Sequence, residues 1–179
     1  RFDNGRLVGE MYDGIGLLIG QRENGIEIGG RTALISGAGG AGRAVAFAYA
    51  REGVSRLGIA NRNVARAEKL VADVKAAVPG VDVVVAEADA KGWDVICNCT
   101  SLGLHEGDAL PIAVDGLEPS TDVVDIIEDF QSQVEARKIN LSIRGNFQDV
   151  NFNHMQYYMN KVSKDGSKQA SYLESVFTK

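Results

Sequence analysis

The residues best suited to chemistry form a glycine-rich run, Gly37-Ala38-Gly39-Gly40-Ala41-Gly42-Arg43. Within it Gly37, Gly39 and Gly42 stand in G-x-G-x-x-G spacing. The run follows the apolar stretch Thr32-Ala33-Leu34-Ile35-Ser36 and precedes Ala44, Val45, Phe47 and Ala48, which are spaced as one face of a helix. Strand, glycine turn, helix is the context in which this spacing holds a dinucleotide. The first glycine permits the tight turn, the second lets a pyrophosphate approach the backbone, and the third lets helix and strand pack closely. The helix N-terminus adds free N–H groups and the positive end of a dipole. The plain alternative is a glycine-rich turn without a ligand. No Gly-Lys-Ser/Thr follows, which excludes a Walker loop.

The next strand tip bears on which nucleotide is held. An NAD site places an acid about 20 residues beyond the fingerprint, on the ribose 2′-OH. Here Ile59-Ala60 leads instead into Asn61-Arg62-Asn63, with Arg66 one turn on. Arg62 and Arg66 suit a 2′-phosphate, because guanidinium matches phosphate geometry. NADP is therefore expected rather than NAD, and Arg43 can add positive charge. The alternative for the arginines is a solvated surface. A nucleoside binder of the methyltransferase type lacks its acid here.

A third group is Asn98-Cys99-Thr100-Ser101-Leu102-Gly103. It lies at the carboxyl end of another apolar run, where parallel sheets bind ligands. Thr100 and Ser101 supply hydroxyls and Gly103 allows close approach; a capped turn closing the strand fits the spacing equally well. Cys97 and Cys99 are read as pointing to opposite faces of their strand and as small buried hydrophobes, not a redox pair. His105 reads as exposed, and His154, Tyr157, Tyr158 and Trp93 as surface or packing residues.

These groups need a scaffold. Asp13 is read as the cap of a helix over residues 14–22, after a weak strand at residues 7–9. Strands are expected over 32–36, 56–60, 81–86, 93–98 and 121–127, with helices over 40–51 and 64–77. Gly53 and Pro79-Gly80 end those helices. Further on, helices are expected over 130–138 and 147–161 and a strand over 139–143. Strands that are apolar throughout, alternating with helices, predict an α/β fold: a Rossmann-like, doubly wound parallel sheet with helices on both faces. Residues 1–30 read as a link, 31–162 as the nucleotide domain, and 163–179 as a polar tail.

Composition narrows the function. The chain has 179 residues, a net charge of −5 and a pI near 5.1, which disfavours general nucleic-acid or membrane-surface binding. No apolar run approaches a membrane span and no leader is evident. Two adjacent-but-one cysteines and two distant histidines argue against a disulfide scaffold or a metal site.

Taken together, the three motifs resemble the shikimate/quinate dehydrogenase family. Its G-A-G-G-A loop, N-R-T-x-x-[RK]-A segment and N-A-T-S-x-G segment correspond to Gly37-Ala38-Gly39-Gly40-Ala41, to Asn61-Arg62-Asn63-Val64-Ala65-Arg66-Ala67 and to Asn98-Cys99-Thr100-Ser101-Leu102-Gly103. The family's N-T-D-G-x-G motif has its counterpart in Met11-Tyr12-Asp13-Gly14-Ile15-Gly16, with Met and Tyr replacing Asn and Thr. The resemblance covers about residues 5–127 and fades beyond.

The resemblance implies an NADP-dependent alcohol dehydrogenase acting on a shikimate- or quinate-type hydroxy acid, in aromatic amino acid biosynthesis in the cytoplasm. It implies cofactor contacts at Gly37, Ala38, Gly39, Gly40, Ala41, Gly42, Asn61, Arg62, Arg66, Thr100, Ser101 and Gly103. It makes Asp13 the catalytic aspartate that works beside a lysine of a separate substrate domain. No lysine precedes Lys69, so the chain is expected to be the cofactor half, weak or inactive alone. The alternative is a non-catalytic nucleotide-binding or assembly module.

Overall fold

The computed structural model describes residues 2–3, 6–7, 11–103 and 108–126. Strands β1 (Phe2–Asp3) and β2 (Arg6–Leu7) pair antiparallel. Then follow α1 (Asp13–Glu23), β3 (Thr32–Ser36), α2 (Gly40–Arg51), β4 (Arg56–Ala60), α3 (Val64–Ala77), β5 (Val83–Val85), β6 (Val95–Asn98) and β7 (Asp122–Asp125). The last five strands form one parallel sheet in the order β5-β4-β3-β6-β7. The chain winds from β3 outward to β5, then returns to the other side of β3 at β6. This is the doubly wound, Rossmann-like sheet that the alternating pattern predicts.

Side-chain parity divides the core in two. Ala33, Ile35, Leu57, Ile59, Val83, Val95, Cys97 and Val124 face one side and are covered by α1, α2 and α3. Leu34, Ala60, Ile96 and Val123 face the other. Among the described residues all three sheet-packed helices lie on the first face. The second face is covered by loops: Ala90, Ile112 and Val114 are buried there, and the two loops pair through an Asp89–Ala113 bridge. The helices and strand expected beyond residue 127 lie outside the described residues.

Small residues set how closely the helices pack. Ala44, Ala46, Ala48 and Ala50 are buried along α2. A side chain on Gly14 would strike the backbone of Ala44, so only glycine lets α1 sit against α2 there. Gln21, later in α1, donates to the Tyr49 hydroxyl, later in α2, at 2.6 Å. The two helices thus run side by side in the same direction. Leu17, Leu18, Ile26 and Ile28 join the same core, so α1 and the segment after it pack as one body with the sheet.

Several boundaries differ from the sequence expectation. Asp13 is the first residue of α1, not its cap; Tyr12 holds that place, and its side chain does not cap the helix. Strands β5, β6 and β7 are shorter than expected because their ends are drawn into turns. Trp93 leaves the strand and lies over Gly58, where a Cβ would come within 2.6 Å of its ring. Asp94 binds the start of β3, accepting from the Thr32 N–H at 2.8 Å and hydroxyl at 2.9 Å.

Candidate functional site

The site grows from the end of β3. There Gly37 turns the chain at φ +109°, and its N–H donates to the Ala60 carbonyl of β4 at 2.8 Å. A Cβ on Gly37 would sit 2.6 Å from the Cys99 carbonyl oxygen, so the turns after β3 and β6 touch. Gly42 is pressed on the Gly37 carbonyl with no room for a side chain. Gly39 caps α2 in extended backbone, and no side chain bonds the helix start. Around Gly39 and Gly40 a Cβ would enter open space. Among the described residues, the first-turn N–H groups thus lack a side-chain acceptor on an exposed face. That arrangement fits a pyrophosphate, which needs N–H donors and unobstructed backbone.

Asn61 ties the next strand tip to this turn. Its Oδ1 accepts from the Ala38 N–H at 3.0 Å, and its Nδ2 donates to the Asn63 carbonyl at 2.8 Å. Arg62 and Arg66 are exposed beside it, and neither side chain forms an ion pair among the described residues. Arg43 does not add its charge to the turn. Its Nη1 lies 2.6 Å from Asp73 Oδ2 and its guanidinium stacks on Phe47, so it joins α2 to α3. Hydrogen bonds from Arg43 and then Lys69 hold the Asp73 carboxyl below the usual carboxylate range.

Across the switch from β3 to β6 lies the third group. Thr100 donates its N–H (3.0 Å) and its hydroxyl (2.8 Å) to Asn98 Oδ1, and its Oγ1 accepts from the Leu102 N–H at 3.0 Å. The Thr100 hydroxyl therefore builds the turn itself. Ser101 is exposed at the tip. Gly103, at φ +102°, donates its N–H to Asp108 Oδ2 at 3.0 Å. The centre of this turn is Asn98, fully buried, which also donates to the Leu102 carbonyl at 3.1 Å and to Asp125 Oδ1 of β7 at 3.0 Å. Spacing drew attention to Thr100 and Ser101 and passed over Asn98 and Asp125 as side chains with a task. The one available signal was a polar residue closing each of two apolar strands.

Asp13 is exposed at the start of α1. Because Gly14 lies against Ala44, one turn into α2, Asp13 is at the same end of the molecule as the glycine turn. The cysteines differ from expectation. Cys97 and Cys99 share a face, with their sulfurs 3.5 Å apart beside Tyr49. Residues two apart in a strand fall on one side of the sheet, not on opposite sides. Both are buried free thiols, and the neighbouring Cys99 with burial pushes the Cys97 thiol up.

These features meet a known pattern. The family described as shikimate / quinate 5-dehydrogenase matches residues 19–104. Residues 19–104 belong to the shikimate/quinate dehydrogenase family. It is 43% identical over 129 residues to a shikimate dehydrogenase (NADP(+)) of Rubrobacter xylanophilus, covering 70% of this chain and 45% of that protein. Among solved structures it resembles shikimate 5-dehydrogenase of Listeria monocytogenes in complex with shikimate and NAD. There the TM-score is 0.69 and the identity 26%, over 79% of this chain and 54% of that one. It also resembles the Thermus thermophilus enzyme in complex with NADP(H) and shikimate, with TM-score 0.62 and 29% identity, over 79% and 53% of the two chains. The chain spans about half the length of the curated relatives it matches. No helix among the described residues is long and apolar enough to cross a membrane.

Proposed function

We propose that this chain carries the NADP-binding domain of a shikimate dehydrogenase-type oxidoreductase, which moves hydride reversibly between NADP(H) and a shikimate- or quinate-type hydroxy acid. One observation carries the proposal: an uncapped helix start beneath an open glycine turn, at the point where the sheet reverses its strand order. Gly37, Ala38, Gly39, Gly40, Ala41 and Gly42 would hold the pyrophosphate through backbone N–H groups. Asn61 keeps that turn in place, and Arg62 and Arg66 stand free to meet a 2′-phosphate. Thr100, Ser101 and Gly103 line the opposite side. When bound, the nicotinamide supplies the hydride chemistry, and the protein positions it.

Asp13, exposed at the same end, would take part in holding or moving the hydroxyl proton of the substrate. A carboxylate alone is a weak base near pH 7. The family pairs it with a lysine, and no lysine precedes Lys69 in these 179 residues. Slow turnover by this chain alone is therefore part of the proposal. Its dehydrogenase relatives favour the enzyme reading over a non-catalytic module. The nucleotide domain is proposed to span residues 31–162, with α1 packed onto it and a polar tail after it. Placement in the cytoplasm, in aromatic amino acid biosynthesis, and assembly as a homo-oligomer belong to the same proposal.

Calorimetric titration of the purified chain with NADP+ and separately with NAD+ tests this. Clear preference for NADP+ is expected. Binding of neither nucleotide would overturn the proposal; equal binding would remove the phosphate role of the arginines.

A further inference from the structure

Parallel register places Ser36, Asn98 and Asp125 side by side at the carboxyl ends of β3, β6 and β7, on the face covered by loops. All three are buried. Ser36 is occupied by the Pro111 carbonyl, to which its hydroxyl donates at 2.9 Å. The other two form a pair. Asn98 is the hub of the turn over residues 98–103, and its amide has one workable orientation. The Thr100 N–H needs an acceptor and the Leu102 carbonyl needs a donor, so Oδ1 faces Thr100 and Nδ2 faces Leu102. The second Nδ2 proton goes to Asp125 Oδ1. Asp125 thus anchors from a neighbouring strand the side chain around which the turn is wrapped.

We infer that Asp125 is a positioning residue for the nicotinamide half of the cofactor. It acts through Asn98 on the turn over residues 98–103 and touches no ligand itself. The inference rests on the cofactor reading above. The sheet order supplies the division of labour: Arg62 follows β4 on one side of the glycine turn, and Asn98 ends β6 on the other. A dinucleotide lies across such a reversal with one half on each side. Disturbing Asp125 should then loosen one half of the ligand and spare the other. A merely structural residue would weaken both.

The test uses two ligands on the full chain: NADP+, which spans the reversal, and 2′,5′-ADP, which carries only the adenosine half. Asp125→Leu removes the accepting oxygen at similar volume. Its expected effect is at least a tenfold loss of NADP+ affinity, with 2′,5′-ADP affinity within threefold of the wild type. Asp125→Asn keeps an accepting oxygen and should restore NADP+ binding to within threefold. Should Asp125→Leu fail to melt cooperatively, Asp125→Ala decides instead. It removes the same accepting oxygen with a smaller side chain on β7 and should also lose NADP+ selectively. Unchanged NADP+ affinity, or parallel loss of both ligands, in the variant that decides would overturn the inference. So would an Asp125→Asn protein as weak as Asp125→Leu, because charge rather than the accepted hydrogen bond would then matter. Wild-type protein that binds neither ligand would overturn the cofactor reading, and this inference with it.

Discussion

Arg62 and Asn61 are sequence neighbours with opposite tasks. Asn61 spends its hydrogen bonds on the backbone of its own molecule, at Ala38 and Asn63. Arg62 points its charge at solvent beside the turn. A charge-assisted hydrogen bond contributes about 1.5–3 kcal/mol. Replacing Arg62 with Ala should therefore weaken NADP+ by about tenfold to a hundredfold and leave NAD+ nearly unchanged. Titration of the variant with both nucleotides checks this, and equal losses would exclude a phosphate role. Arg43 shows what sequence cannot supply at this scale. It is as close to the glycine turn in sequence as a residue can be, yet Asp73, thirty positions away, takes its guanidinium. The choice was made by the packing of α2 on α3.

Between elements, the amino ends of three strands are held by one polar cluster. Asp94 accepts from Thr32, while Arg31 bonds the Asp94 carbonyl at 2.8 Å and reaches Asp122 of β7 at 2.6 Å. The Thr32 N–H holds the Asp94 carboxyl below its ordinary value, against a smaller opposing effect of burial. A carboxyl lowered in the folded state contributes stability above its unfolded pKa, about 3.9, and loses it as pH falls through the lowered folded value. Stability to urea should accordingly drop below about pH 4. The Asp94→Ala protein should be weaker by about 1 kcal/mol at pH 7 and show a shallower acid loss. An acid profile identical to that of the wild type would remove Asp94 from the account. β3, α2, β4 and α3 follow the expected limits residue for residue, because glycine, asparagine and apolar spacing mark their ends locally. β5, β6 and β7 come out shorter because partners distant in sequence decide where pairing stops. Thr32 captures Asp94, and Gly58 receives Trp93.

For the whole molecule, binding and turnover separate. The sheet reversal, the glycine turn and the strand-end loops are all present in this chain, so nucleotide affinity should be measurable here alone. On the proposed reading, turnover needs a base partner for Asp13. Mixing the chain with the substrate domain of a family member, or fusing the two, should raise shikimate-dependent NADP+ reduction well above that of the chain alone. No gain with a competent partner would return the chain to the class of binding modules. The sequence by itself determined the α/β alternation, the glycine turn, the arginine-bearing strand tip and the family, because each is written in contiguous residues with a fixed local geometry. Only the tertiary structure decided two further matters. Loops, rather than helices, cover the second face among the described residues. Asp125 reaches Asn98 across 27 positions of chain. Each depends on which strands become neighbours, and strand order is a property of the folded sheet, not of any single segment.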